Sequence, residues 1–300
     1  MYQSVRFKKV VVVGVGLLGG SLARDLKRFD IADTVVGVCR STATAEAALE
    51  EGIVDQVQSL SEACMGADLI VLATPMQAML PLLNQLAPYV DENTILTDVG
   101  SVKTDLYDQI KQQSPELLER FVLAHPIAGG ENSGVLASKI DLFKNKHVII
   151  TDTDEVASSL CGIVAQMWQA LGANVLHMSL REHDSIFAKT SHLPHVIAFS
   201  LVNFLSAQDD RDRLFDLAAA GFYDFTRIAS SDAEMWRDIC ITNKEHILNA
   251  LDGFKSQIDE IRSDVANSDQ DAILSYFDKA KASRDAGLLK KAESQVKTDS

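Results

Sequence analysis

Cysteine is scarce and dispersed. Cys39, Cys64, Cys161 and Cys240 form no CxxC pair, so neither a disulfide framework nor a thiolate metal site is written into the chain. Long apolar runs are also missing. No stretch approaches the ~20 residues that would cross a bilayer. The apolar start after Lys9 is broken by glycines and closely followed by Arg24 and Asp25, unlike a secretory leader. Positive charge is in short supply: 28 Lys and Arg against 42 Asp and Glu give a net charge of −14. Nucleic acid is therefore excluded as the main partner, because phosphate backbones need a basic face. There is no HExxH or GxSxG pattern, so zinc-protease and serine-hydrolase readings lack support. These absences lead us to expect a cytoplasmic protein with no metal site, no membrane partner and no nucleic-acid partner.

What is present begins at Val10 to Val13, a β-branched run that enters Gly14-Val15-Gly16-Leu17-Leu18-Gly19. A strand, a GxGxxG turn and an apolar helix in that order describe a dinucleotide site. The first glycine permits the turn, the second admits a pyrophosphate, and the third lets helix pack on strand. Gly14, Gly16, Leu17, Leu18 and Gly19 are the candidate cofactor residues, with phosphates on the N–H groups of the helix start. An acid ~20 residues on would bond the ribose of NAD. Here the second strand ends Val38-Cys39-Arg40-Ser41. Arg40 and Ser41 suit a 2′-phosphate, which leans toward NADP over NAD; alternatively, Arg40 stacks on adenine or faces solvent.

Strand-like and helix-like segments alternate as far as Asn174–His177. This predicts a mainly parallel, doubly wound sheet of Rossmann type over residues 1–178, covered by helices on both faces. Ligands in such sheets bind beyond the carboxyl ends of the strands. That rule selects the loops at Thr74–Pro75, Asp98–Ser101 and His125–Gly130. From Leu180 onward only helical periodicity remains, including Ser185–Leu205, Lys244–Ile261 and Gln270–Ala282. We expect residues 179–300 to form an all-α domain that frays from about Lys290.

Several stretches carry chemistry. His125 lies in a Gly/Pro loop just past a buried strand, with a side chain suited to general base work. Ser101 precedes a helix, where capping is its plain alternative, and Lys103 has the plain reading of a surface charge. His192 and His195, in Ser191-His-Leu-Pro-His195, are three apart and share a helix face. Arg227 could clamp a carboxylate with its planar fork or pair with Asp224. Trp236 reads first as core or interface.

Taken together, the glycine turn, DVGSVK, HPIAG, SHLPH and the later GFxDFTRIA…SDxxMWRD resemble the prephenate/arogenate dehydrogenase family from Val10 to at least Leu251. The chain looks like a monofunctional form. The resemblance implies a Rossmann domain and a helical domain that forms a homodimer. The implied reaction is NAD(P)-dependent oxidative decarboxylation of prephenate, arogenate or both to 4-hydroxyphenylpyruvate or tyrosine. It makes His125 the base and Ser101 a hydroxyl bonded to both the substrate and His125. Arg227 becomes the carboxylate ligand, and His195 lines the pocket with Gly130. Glu131 and Asp224 become acids near the mouth, and Trp236 a ring that reaches the partner subunit's site. The competing readings are a β-hydroxyacid-type dehydrogenase, which would use a helix lysine such as Lys189, and a non-catalytic dinucleotide-sensing dimer.

Overall fold

The computed structural model describes residues 5–130 and 132–298, with side chains as far as Glu293. Glu131 lies outside the described residues. The first strand, β1 (Phe7–Val13), is the Val-rich run, and Val10 to Val13 are buried on both faces. That is the composition of a central parallel strand. β2 (Ala32–Val38), β3 (Gln56–Val57), β4 (Leu69–Leu72), β5 (Ile95–Asp98) and β6 (Phe121–Val122) join it in the order β3-β2-β1-β4-β5-β6, all parallel. This is the dinucleotide-binding order, whose crevice lies where the winding reverses beside β1 and β4. The register is tight: Val13 pairs with both Val38 and Leu72, and Leu72 with Asp98. The loops after these four strands therefore leave one edge together.

The helices between strands are α1 (Leu17–Arg28), α2 (Thr42–Glu50), α3 (Leu60–Cys64), α4 (Met76–Leu86) and α5 (Thr104–Gln113). Their boundaries follow local chemistry. Ser41 caps α2 by accepting from the Thr44 N–H, and Ser59 closes a capping box with Glu62 on α3.

The expectation of one mainly parallel sheet is corrected at Leu123. The chain leaves β6 and forms a second, three-stranded sheet from β7 (Ala124–Pro126), β8 (His147–Asp152) and β9 (Asn174–Ser179), with β7 antiparallel to β8. The reason lies in buried side chains. The Ala124 N–H donates to Asp98 Oδ1 and its carbonyl accepts from Lys103 Nζ. The backbone groups that would extend the first ladder are thus already satisfied. The helix α6 (Ser158–Ala170) crosses between β8 and β9.

Strands end at Ser179. There follow α7 (Leu180–Phe187), a π-turn (Ala188–His192), α8 (Leu193–Ser206), α9 (Arg211–Asp216), α10 (Ala220–Thr226), α11 (Ala233–Thr242), α12 (Lys244–Ala266) and α13 (Gln270–Thr298). The expected helix over 185–205 begins earlier and carries the π-turn inside it. The last helix also continues past Lys290 to Thr298. Packing divides the chain into one compact unit ending at Ile247 and another from Leu248. The first unit holds more than the strand-bearing half because α7 packs on β8, β9 and α5, and α11 packs on α4. Among the described residues no helix is long and apolar enough to cross a membrane.

Candidate active site

The glycine turn is shaped by exclusion. Gly14 sits at φ +96°, and a Cβ there would lie 2.6 Å from the Ala73 carbonyl oxygen. A Cβ on Gly19 would lie 2.1 Å from the Gly14 oxygen. Both positions demand glycine for the protein's own packing. Gly16 differs: a Cβ there would meet nothing within 4 Å. The protein's own packing therefore places no demand for glycine at this position. Gly16 caps α1 without any side-chain hydrogen bond, and the first turn of α1 carries no acid. Leu17 opens α1, and Leu18 packs against the core. The Thr74 hydroxyl, at the end of β4 before Pro75, is buried without a hydrogen-bond partner. An open glycine, bare helix N–H groups and an unsatisfied hydroxyl on one sheet edge fit a dinucleotide. Arg40 is exposed beyond β2, with no hydrogen bond or ion pair among the described residues. Ser41 is already engaged at the α2 cap.

The next two strands build the polar half. Asp98, at the end of β5, and Lys103 are fully buried and ion-paired. This corrects the surface reading of Lys103. Its ammonium is spent on Asp98 and on the Ala124 carbonyl, 2.8 Å away, while Asp98 also accepts from the Gly100 N–H at 2.7 Å. The loop holding Ser101 and the strand holding His125 are therefore fixed to one another through a buried pair. Burial is the main influence on Lys103 and lowers its pKa, with Asp98 opposing. Ser101 does not cap α5, whose cap is Lys103. Nor does the Ser101 hydroxyl bond His125 in this structure.

His125 is held instead by a residue that sequence reasoning passed over. Its Nδ1 lies 2.8 Å from His183 Nε2, and His183 Nδ1 lies 2.8 Å from Asp184 Oδ1. Phe187 packs edge-on against the His125 ring and at a tilt against the His183 ring. Asp184 also accepts from the Lys103 and Thr104 N–H groups, at 3.0 and 2.9 Å. Burial holds the His125 pKa well below the usual histidine value, with His183 and Lys103 adding to the effect. Burial likewise lowers His183, against the pull of Asp184. For Asp184, burial pushes upward, but hydrogen bonds from His183, Thr104 and Lys103 leave it below the usual carboxylate value.

The polar chain continues. Asn243 donates to the Asp184 carbonyl at 2.9 Å and to His192 Nδ1 at 3.1 Å. His192 meets Trp236 edge-on, and His195 stacks on the same indole at 3.7 Å. His192 and His195 do share a face, as their spacing predicts. Burial takes His192 down to about 4. Trp236 is 7% exposed and stacks on His195. His195 Nδ1 donates to the Ser191 carbonyl at 2.8 Å, which leaves Nε2 as an acceptor. Gly130 approaches the cofactor turn, since a Cβ on it would lie 3.6 Å from Leu17 Cδ2. Asp224 and Arg227 are exposed at the end of α10. Among the described residues no cluster of His, Cys, Asp or Glu could hold a metal. The one signal that could have revealed the missed pair is an adjacent His183-Asp184 in a helix otherwise patterned for a surface.

Residues 22–177 match the family described as prephenate dehydrogenase, nucleotide-binding domain, and residues 179–279 match prephenate dehydrogenase, dimerization domain. The chain belongs to the prephenate dehydrogenase family. It is 32% identical to the cyclohexadienyl dehydrogenase of Zymomonas mobilis, over 97% of this chain and 99% of that one. It is 35% identical to the prephenate dehydrogenase of Bacillus subtilis, over 92% of this chain and 75% of the relative. Among solved structures, it superposes on the Aquifex aeolicus prephenate dehydrogenase in complex with hydroxyphenyl propionate and NAD+. There the TM-score is 0.88 and the identity 33%, covering 94% of this chain and 99% of that one. Membership of the prephenate dehydrogenase family makes the chain an oxidoreductase with a nicotinamide dinucleotide cofactor. Its reaction class is NAD(P)-dependent oxidative decarboxylation in tyrosine biosynthesis.

Proposed function

We propose that the chain oxidatively decarboxylates prephenate, arogenate or both, with His125 as general base and NADP as the preferred dinucleotide. The observation that carries the reading is His125 itself. It is a buried imidazole just beyond the carboxyl end of β6, held through a buried polar chain, with burial lowering its pKa. Gly14, Gly16 and Gly19 would hold the dinucleotide at the start of α1, with Thr74 and Pro75 on the neighbouring loop and Arg40 toward a 2′-phosphate. When bound, the nicotinamide supplies a hydride acceptor. The substrate is a cyclohexadienol with a ring carboxylate. Hydride leaves its carbinol carbon, the hydroxyl proton passes to His125, and CO2 departs from the opposite carbon as the ring becomes aromatic. Ser101 would bond the same hydroxyl, and Arg227 a substrate carboxylate. His195, with its acceptor Nε2, would line the pocket beside Gly130. Asp224 and Glu131 would stand at its mouth, with Glu131 outside the described residues.

We retain 178/179 as the boundary between cofactor and substrate domains; the two family matches meet there. A homodimer is supported by exposed apolar side chains on α12 and α13, among them Ile258, Leu274 and Phe277, together with the dimerization-domain match. We assign a cytoplasmic location, which suits four unpaired cysteines.

The test is turnover with prephenate or arogenate against NAD or NADP, followed by reduced-cofactor absorbance. The fastest combination names the substrate and the cofactor. Silence in all four, with dinucleotide still bound, overturns the reading. In the active combination, His125→Asn lowers kcat at least about a hundredfold with little change in KM.

A further inference from the structure

We propose that His183, held by Asp184, is a positioning residue that fixes His125 in the tautomer protonated on Nδ1, leaving the lone pair on Nε2 to face substrate. The inference rests on His125 being the base, and it adds which nitrogen acts and what selects it.

Asp184 accepts two backbone N–H groups at the start of α5. A carboxylate in that setting is ionised and can only accept. His183 Nδ1, 2.8 Å from Asp184 Oδ1, must then carry the proton. A neutral His183 with a proton on Nδ1 has a bare Nε2. That bare nitrogen lies 2.8 Å from His125 Nδ1, so His125 Nδ1 must be the donor. The only nitrogen of His125 left to take a proton is Nε2. Each link is buried or packed: His183 and Asp184 are almost wholly enclosed, and Phe187 stands against both rings. Lys103 fixes the far side of the Asp98 loop and is not in line with the relay; its ammonium is spent on Asp98 and Ala124. His192 faces Asn243 and Trp236. In water the other tautomer of imidazole is the more common, so without the relay His125 would present an N–H where a base is needed. This is the logic of a third group orienting a catalytic histidine, with a neutral imidazole inserted between carboxylate and base.

The experiment reads imidazole nitrogens directly. Long-range 1H–15N spectra of protein labelled in its seven histidines report which nitrogen of each ring is protonated. The His125 signal is assigned by its loss in His125→Asn. The wild-type protein should show His125 with a protonated Nδ1 and a bare Nε2. His183→Asn keeps a donor toward Asp184 but loses the acceptor. It should shift His125 toward the other tautomer and lower kcat roughly 10- to 100-fold, with KM within about twofold. His183→Gln, whose amide oxygen can reach His125, should restore most of the kcat. A wild-type spectrum with the proton on Nε2 overturns the proposal even if neither variant folds. So does a His183→Asn enzyme with unchanged kcat and tautomer. Failure of the base assignment would appear separately, as an active His125→Asn enzyme.

Discussion

The two halves of the site are built by opposite means. The cofactor edge consists of what is left out: glycines without side chains, helix N–H groups without caps, a strand end without an acid. The histidine side is made of what is packed in: Asp98, Lys103, His183, Asp184, His192 and Asn243 are all buried polar side chains, each satisfied by another. A binding surface for a large, flexible anion can be made from backbone, because phosphate oxygens accept from any N–H. A base that must present one particular nitrogen needs side chains with fixed proton inventories. The first kind of site tolerates exchange of most neighbouring side chains; the second does not.

The largest expected effect strikes the packed half. Lys103→Met leaves the Asp98 carboxylate buried with only the Gly100 and Ala124 N–H groups to hold it. It should cost about 3–5 kcal/mol of stability, read by urea unfolding. Next comes acid. His125, His183, His192 and His195 all have depressed pKa values in the folded protein. Below about 6.5 the unfolded chain binds protons that the folded one does not, so stability is flat above that value and falls as pH drops toward 4. His192, at about 4, contributes on the order of 3 kcal/mol of this loss. Unfolding curves that match at pH 7 and pH 5 would show that these rings are not buried neutral. The cofactor edge separates into its own pair. Gly19→Ala, with its Cβ forced against a backbone oxygen, should lower stability by about 1–3 kcal/mol or more. Gly16→Ala should leave stability nearly unchanged and weaken dinucleotide binding, as measured by fluorescence titration. Equal stability losses in both variants would erase the distinction. The smallest effect belongs to Arg40→Asp, which should move preference from NADP toward NAD by roughly tenfold, the worth of one exposed charge-assisted contact. Equal loss with both would make Arg40 an adenine-stacking residue.

Legibility in the sequence followed the same division. Gly14 and Gly19 announce themselves because only glycine meets their steric demands, Gly16 is legible by its spacing between them, and the valine run before them is readable as a central strand by composition alone. The helix over Met76–Leu86 coincides with its apolar period. The exit from the first sheet at Leu123 was not readable. It depends on Asp98 and Lys103 capturing the Ala124 backbone across 26 and 21 positions, and nothing local to Ala124 encodes it. Lys103 read as a surface charge because lysine is seldom buried. His183 and Asp184 were missed for a related reason: a His-Asp pair between Glu182 and Ser185 looks solvated until the fold brings α5 and β7 to it. His125 was expected in a loop but stands within β7, paired with Ile149, and the group bonded to its Nδ1 was not foreseen.

The carboxylate of Asp184 also sets an order of events during synthesis. It caps the start of α5, 80 and 81 positions earlier in the chain, and holds the ring that His125 must meet across 58 positions. A ribosome that has released the glycine turn and the first four strands has made every residue of the parallel edge around Gly14. The imidazole of His125 leaves the exit tunnel with no neighbour to choose its proton, and it waits until α7 follows. The glycine turn is therefore complete in the emerging chain before the group that meets His125 Nδ1 has been made.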